Sequence, residues 1–269
     1  MPAADTPSYG PLIERELAAW RRSAGRYSLI LGGIAVSCWY AGLFEGKRLY
    51  EGLPSIAHLA GEMLPPDFHQ AGSWIKPVLD TLTMSVAGTV VAVLFSIPLA
   101  LLGARNTSPH PVLYQVARGS LNLLRSVPEL IMGIIFVAAV GFGSLPGVLA
   151  LGLHSIGMVG KFFAEAIEHV DPAPVEAVKA TGATRAQVIL HGILPQVLPQ
   201  LADVMVYRWE YNFRASTVMG MVGAGGIGFE LMASLRIMQY REVSAILLVI
   251  LAMVTMVDGS GARLRRRFK

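Results

Sequence analysis

Polar and apolar residues along this chain separate into long blocks rather than following the short period of a surface helix or a half-buried strand. Apolar blocks fall at about 27–44, 77–103, 120–143, 145–167, 198–222 and 243–257. Most approach or exceed the roughly twenty residues that carry an α-helix across hydrocarbon. A helix satisfies its own backbone polar groups, so blocks of this kind predict six transmembrane helices. Trp39 and Tyr40 sit near the end of the first block, where an interfacial aromatic belt would place them. Residues 11–26 set Leu12, Ile13, Leu17 and Trp20 among charges, which suits either a short interfacial helix or a polar tail. This stretch has no apolar core of the kind a cleaved signal peptide carries, so the first span is expected to remain as an anchor. Residues 45–76, with Pro54, His58, Pro65, Pro66, Asp67 and His69, read as an extramembrane loop holding a small interfacial helix near 56–63.

One polar island, residues 171–195, interrupts the apolar pattern late in the chain. Asp171 is suited to cap a helix and Pro172 to occupy its first turn, where a missing N–H costs nothing. That helix is expected to reach Thr181, with Gly182 in the left-handed conformation that ends it. Thr184-Arg185-Ala186-Gln187 has the form of a capping box and predicts a second helix, limited by Pro195 and Pro199. The expectation is a helix–turn–helix hairpin presented to solvent between two spans.

The island resembles the cytoplasmic signature of ABC importer permeases, Glu-Ala-Ala, three residues, Gly, nine residues, Ile-x-Leu-Pro. Glu176, Ala177, Gly182, Leu194 and Pro195 fall in register with it. Val178 stands where the second Ala is usual, and Gly192 where Ile is usual, with Ile193 one place late. Arg208-Trp209-Glu210, Arg214 and the run from Gly220 to Gly228 extend the resemblance, over roughly residues 70–260, to permeases of phosphonate- and phosphite-type importers. The resemblance implies an all-α polytopic membrane protein with the type I ABC importer permease fold. It also implies that Glu176, Ala177, Lys179, Gly182, Leu194 and Pro195 couple the chain to a separate ATPase.

Composition agrees with the membrane class. Of 269 residues, 54% are hydrophobic and only 15% charged, and the mean hydropathy is +0.54. The distribution of the charge gives topology. Segments 1–26, 104–118, 171–195 and 258–269 hold thirteen Lys and Arg, and the intervening loops on the other side hold five. The positive-inside rule then sets both termini and the hairpin in the cytoplasm. A single cysteine, Cys38, excludes an intrachain disulfide and leaves no metal-ligand spacing. There is no G-x-x-x-x-G-K-[ST], so the chain binds no ATP by a P-loop of its own, and no nucleophile–base set stands out.

Charged residues inside spans are expensive, about 2.5–3.5 kcal/mol each at the centre on insertion scales. Here they recur at i,i+4 spacing, as Arg125 with Glu129, Lys161 with Glu165, and Glu210 with Arg214, while Arg208 has no carboxylate at that spacing. Two readings stand: these groups hold helices together, or they line a route for a small anion. On the second reading Arg208, Arg214, Glu210, Arg125 and Glu129 are the path candidates. The expected division is a Glu210–Arg214 pair that fixes geometry and a freer Arg208 that meets the anion. His154 is expected to hydrogen-bond between helices, and Met132, Met158, Met205, Met219 and Met221 to pack. Gly223, Gly225, Gly226 and Gly228 formally match GxGxxG, but they follow a membrane helix and not a strand, which excludes a dinucleotide site. They read as a glycine bend at the outer end of the fifth span, either a gate beside the path or a plain loop turn.

The expected organisation is an N-terminal cytoplasmic tail or interfacial helix at 1–26, a first span and periplasmic loop at 27–76, a permease core at 77–258 that includes the hairpin, and a basic tail at 259–269. The expected function is the membrane-spanning permease of an ATP-driven importer for a small phosphorus oxyanion in a bacterial inner membrane; it is a transporter subunit and not an enzyme. The resemblance implies a second permease copy, two P-loop ATPase subunits that bind ATP and Mg, a periplasmic substrate-binding protein and the lipid bilayer as partners, with no cofactor in this chain and no nucleic acid. The alternatives are an importer of methionine or another amino acid, and a stand-alone secondary transporter or channel. The last predicts inverted repeats, and none is visible.

Overall fold

A computed structural model describes residues 10–268, apart from the side chains of 11–14, 17–19, 21–22, 48–49 and 268. Among the described residues every regular element is a helix. The chain divides into two compact units, one up to Gly61 and the other from Glu62 onward.

The first unit contains α1 (Gly10–Tyr40) and nearly all of α2 (Gly46–Glu62). The predicted break between polar tail and first span is not a break in the backbone, because α1 runs through it and stops at Tyr40. The amphipathic reading of Leu12, Ile13 and Leu17 lies outside the described side chains. The predicted loop at 45–76 is more ordered than its prolines suggested: α2 spans seventeen residues and carries Pro54 in its interior.

The second unit is a helical bundle. Its elements are α3 (Ile75–Gly103), α4 (Pro111–Ser126), α5 (Glu129–Val140), α6 (Ser144–Glu168), α7 (Pro172–Ala180), α8 (Arg185–Val188), α9 (Leu194–Met219), α10 (Ile227–Arg236) and α11 (Tyr240–Phe268). Among the described residues four helical stretches are long and apolar enough to cross a membrane, Ile75–Gly103, Ser144–Glu168, Arg185–Ala224 and Tyr240–Arg267. They become five if α4 and α5 together count as one span. These correspond to the last five predicted blocks.

Helix α6 is the centre of the bundle, packed against α3, α4, α5 and α9. Small residues let these backbones approach, as is usual where apolar burial gives little drive between helices in lipid. A Cβ on Gly157 of α6 would lie 2.7 Å from the Arg125 nitrogen and 2.8 Å from the Leu121 carbonyl oxygen of α4. Fully buried Phe163, Leu151 and Val159 complete the α6 face. Helix α11 lies on α9 and α10, with Ile246, Met253 and Val257 buried.

Three sequence expectations are corrected here. The third span, predicted as one helix over 120–143, is broken at Val127-Pro128, and its halves meet at 84°. Proline disfavours the helical conformation at the residue before it and removes a donor, and here the break falls at that pair. The second arm of the 171–195 hairpin is not ended by Pro195 and Pro199. A π-helical turn, Ile189–Ile193, joins α8 directly to α9, Pro195 sits in the first turn of α9, and Pro199 is inside it. The basic segment 259–269 is not a separate tail in its described part, since α11 continues through it to Phe268.

Candidate functional site

The 171–195 hairpin is built as its caps dictate. The Asp171 side chain accepts from the Ala173 N–H at 2.9 Å, and Pro172 opens α7. Gly182 follows the end of α7 with φ +77°, and Thr184 and Gln187 form a reciprocal capping box. Glu176, Ala177, Lys179, Gly182 and Pro195 are exposed, while Leu194 is half-buried. Beneath them Val175, Val188, Ile193 and Val197 form an apolar core with α3 and α6 residues. The two departures from the signature meet in space. A Cβ on Gly192 would lie 3.3 Å from the Val175 Cα and 3.7 Å from a Val178 methyl. The larger residue on α7 therefore faces a glycine on the π turn. Gln196, which drew no attention in sequence, fastens the arms. Its amide oxygen accepts from the Asp171 N–H at 3.0 Å, and its NH₂ donates to the Gly192 and Asp171 carbonyls at 2.6 and 3.3 Å.

A second cluster lies at membrane depth where α3, α5, α6 and α9 converge. Arg208 is 3% exposed. Its Nε donates to Ser155 Oγ at 2.8 Å, and its Cζ stands 4.2 Å from the centroid of the Tyr211 ring. Such a cation–π contact is worth about 2 kcal/mol when desolvated. Ser155 donates to Asn212 Oδ1 at 3.0 Å, Asn212 donates to Thr89 Oγ1 at 2.9 Å, and Thr89 donates to the Ser85 carbonyl at 2.7 Å. This chain satisfies polar groups that would each be costly alone in hydrocarbon. Arg208 Nη2 is buried and has no hydrogen-bond partner.

Glu129 opens α5 directly after the break. The Tyr211 hydroxyl donates to its two carboxylate oxygens at 2.9 and 3.1 Å, and His154 Nε2 lies 3.3 Å from Oε2. His154 Nδ1 is 3.1 Å from the Val127 carbonyl, which the break removes from the helical ladder. His154 thus faces an acceptor at each ring nitrogen, the Val127 carbonyl at Nδ1 and Glu129 at Nε2. The expectation that His154 bonds between helices holds. A cavity of about 320 Å³ opens beside Glu129, His154 and Tyr211, with Leu130, Ala215 and Met219 on its apolar side.

The predicted ion pairs are only partly formed. Lys161 and Glu165 pair at 3.7 Å. Arg125 is exposed at the end of α4 and does not share a helix face with Glu129, because the bend separates them. Glu210 and Arg214 share a face of α9 but turn to α11. Arg265 Nη1 donates to Glu210 Oε2 at 2.9 Å, and Arg214 Nη1 donates to Asp258 Oδ1 at 2.9 Å. Arg265 Nη2 also stands 2.9 Å from Glu210 Oε1, without hydrogen-bond alignment, so that oxygen is held by charge alone. A Cβ on Gly261 would fall on Glu210 Oε1, so Gly261 makes the space for this carboxylate.

The glycine bend lies where the fifth span ends. A π turn, Gly220–Ala224, leads into Gly223, Gly225 and Gly226 with φ +105°, +77° and +75°. The turn is fastened by the Ile227 N–H, which donates to Thr81 Oγ1 at 2.9 Å, and by the Gly143 N–H, which donates to the Gly223 carbonyl at 3.3 Å. Gly228 is helical, and a Cβ there would strike the Thr217 carbonyl.

This arrangement has known relatives. Residues 78–269 match the family described as binding-protein-dependent transport system inner membrane component. The chain belongs to that family. It is a transport permease subunit, a multi-pass membrane protein with the type I ABC importer permease fold. The phosphite transport system permease protein PtxC of Stutzerimonas stutzeri is 69% identical over 250 residues, covering 93% of this chain and 91% of that one. The phosphate-import permease protein PhnE of Mycolicibacterium smegmatis is 43% identical over 231 residues, covering 86% of this chain and 43% of that one. Among solved structures, a chain of the MetNI methionine ABC transporter in inward-facing conformations superposes with a TM-score of 0.64 at 21% identity, covering 73% of this permease and 96% of that chain. A chain of a bacterial alginate importer superposes with a TM-score of 0.60 at 18% identity, covering 93% and 99%. These two likenesses are of fold alone.

Sequence reasoning thus named Arg208, Glu129 and the hairpin of this permease. It gave no site role to Tyr211, Ser155, Asn212, Gln196 or Arg265. Polar residues spaced by three and four, Arg208, Tyr211 and Asn212 on one span, were the available signal for the second cluster.

Proposed function

We propose that this permease forms the membrane path of an ATP-driven importer for a small phosphorus oxyanion of the phosphite class. The observation that carries the reading is Arg208, a cation buried at membrane depth with one guanidinium nitrogen unfilled. A buried cation there is expensive unless something shares its charge. Among the described residues no carboxylate bonds Arg208; Ser155 and the Tyr211 ring face it and Nη2 is enclosed, so a passing anion completes the set only as the helices shift during transport. The binding is weak by construction, because Glu129 keeps a negative charge close by and a strongly positive site would trap the cargo. The relatives with phosphite or phosphate in their names support the same cargo class.

In this reading two copies enclose the path. A separate ATPase binds ATP and Mg and docks on each 171–195 hairpin through Glu176, Ala177, Lys179 and the turn at Gly182, with Leu194 and Pro195 at the base. A periplasmic binding protein delivers the anion. The chain sits in a bacterial inner membrane with both termini cytoplasmic. ATP-driven closure of the ATPases moves the hairpins, and the direct α8–α9 junction passes that motion to Arg208, about four turns along the same helix. The glycine bend at the far end of α9 serves as its gate.

The test is Arg208→Gln, with phosphite uptake measured in proteoliposomes holding the ATPase and binding protein. Gln can still donate to Ser155 Oγ, and the loss of the cation–π contact, about 2 kcal/mol, is offset by removing a buried charge that no carboxylate bonds among the described residues. Complex yield should therefore stay near wild type while uptake falls about tenfold or more, the order of one lost charge-assisted contact. Normal uptake by the well-assembled variant would take Arg208 out of the path.

A further inference from the structure

We infer that Glu129 decides which oxyanions the path accepts: its carboxylate takes a hydrogen bond from an anion that still carries an O–H and repels one that is fully ionised. This rests on the proposed oxyanion path. Glu129 makes no hydrogen bond to Arg208, whose Nε goes to Ser155 and whose Cζ lies over the Tyr211 ring. Its partners are the Tyr211 hydroxyl and His154, and all three border the same cavity. It is the first residue of α5, at the helix end where the N–H groups have no partner within the helix.

The chemistry follows from donors and acceptors. Arg208 can only help an anion by donating to it, and the Tyr211 hydroxyl already gives its one proton to Glu129. An ionised carboxylate can only accept. A site that combines them fits a species with both anionic oxygens and one hydroxyl. Monoanionic phosphite and a monoanionic alkylphosphonate have that inventory. Sulfate at neutral pH has no proton to offer, is similar in size, and would face Glu129 oxygen to oxygen. Shape cannot separate these anions in a cavity of about 320 Å³, so the repulsive carboxylate supplies the discrimination.

The experiment uses the permease–ATPase complex in nanodiscs without binding protein, so that selection by the soluble protein is removed. Labelled phosphite is the probe, with methylphosphonate and sulfate as competitors. Wild type should be displaced by sulfate about tenfold less readily than by methylphosphonate, the order of one charge-assisted hydrogen bond. In Glu129→Gln, nearly the same shape without the charge, the two competitors should come within about twofold. Glu129→Asp should keep the wild-type order. Each ranking is internal to one variant, so differences in yield cancel. A wild type that does not rank the competitors, or a Glu129→Gln variant that ranks them as wild type does, overturns the inference and leaves the path standing if Arg208→Gln still loses phosphite. Absent saturable phosphite binding by wild type, or unchanged binding in Arg208→Gln, overturns the path reading itself and the inference with it.

Discussion

Glu210 and Arg214 illustrate how a correct spacing can imply a wrong partner. Four residues apart on α9, they share a face, but that face meets α11, whose order runs opposite. Arg214 finds Asp258 and Glu210 finds Arg265, so the two charges bridge helices instead of each other. The consequence for mutation follows the observed partners and not the spacing. Arg214→Gln leaves Asp258 alone, but both side chains are nearly half exposed, so the loss should be about 1 kcal/mol or less. Arg265→Gln strands Glu210, whose side chain is 7% exposed and which pairs with no other cation among the described residues, and should cost about 3–5 kcal/mol. Melting of the purified permease should thus fall much further for Arg265→Gln than for Arg214→Gln; equal melting would remove the Glu210–Arg265 bridge from the account. At this scale the sequence reveals which residues are polar in an apolar setting, since that needs only composition. It does not reveal partners, because Arg265 lies fifty-five residues from Glu210 and reads there as one more basic residue of a terminal run.

At the scale of elements, local chemistry was legible wherever a cap or turn demanded a residue type. Asp171, Pro172, Gly182 and the Thr184–Gln187 box all stand as their sequence predicts, and the bend at Gly223 to Gly226 needs its positive φ values. Continuity between elements was not legible. The π turn at Ile189–Ile193 absorbs the passage into α9 that the prolines suggested would be a break, and Val127-Pro128 makes a break where the apolar pattern continues. Hydropathy averages over both. Gly182 gives a clean test of the hairpin because no atom lies within 4 Å of where a Cβ would be, so only the backbone conformation is at issue. Asn tolerates that conformation and Val does not, at a strain of about 1–3 kcal/mol. Gly182→Asn should keep substrate-stimulated ATP hydrolysis by the assembled importer, and Gly182→Val should lose most of it while the protein still inserts. Full stimulation in Gly182→Val would show that α7 and its turn are not the coupling element.

At the scale of the whole molecule, the distribution of charge makes a claim that packing does not. Thirteen Lys and Arg fall in the segments joined to one side of the six-block pattern, against five on the other. The bundle from α3 to α11 is compatible with either orientation, since helices pack alike whichever end faces the cytoplasm. The charge bias acts during insertion, through the membrane potential and anionic lipid, and it favours the hairpin and both termini inside. That orientation is also the one in which an ATPase could reach Glu176 and Lys179, so the charge count and the coupling role stand or fall together. Cysteine labelling separates the orientations. With Cys38 replaced by Ala, Ser55→Cys on α2 and Thr184→Cys at the hairpin each place one thiol at an exposed position. In intact cells an impermeant maleimide should modify position 55 and spare position 184; after permeabilisation it should modify both. Labelling of 184 but not 55 in intact cells would invert the topology, and it would put the hairpin where no cytoplasmic ATPase could drive it.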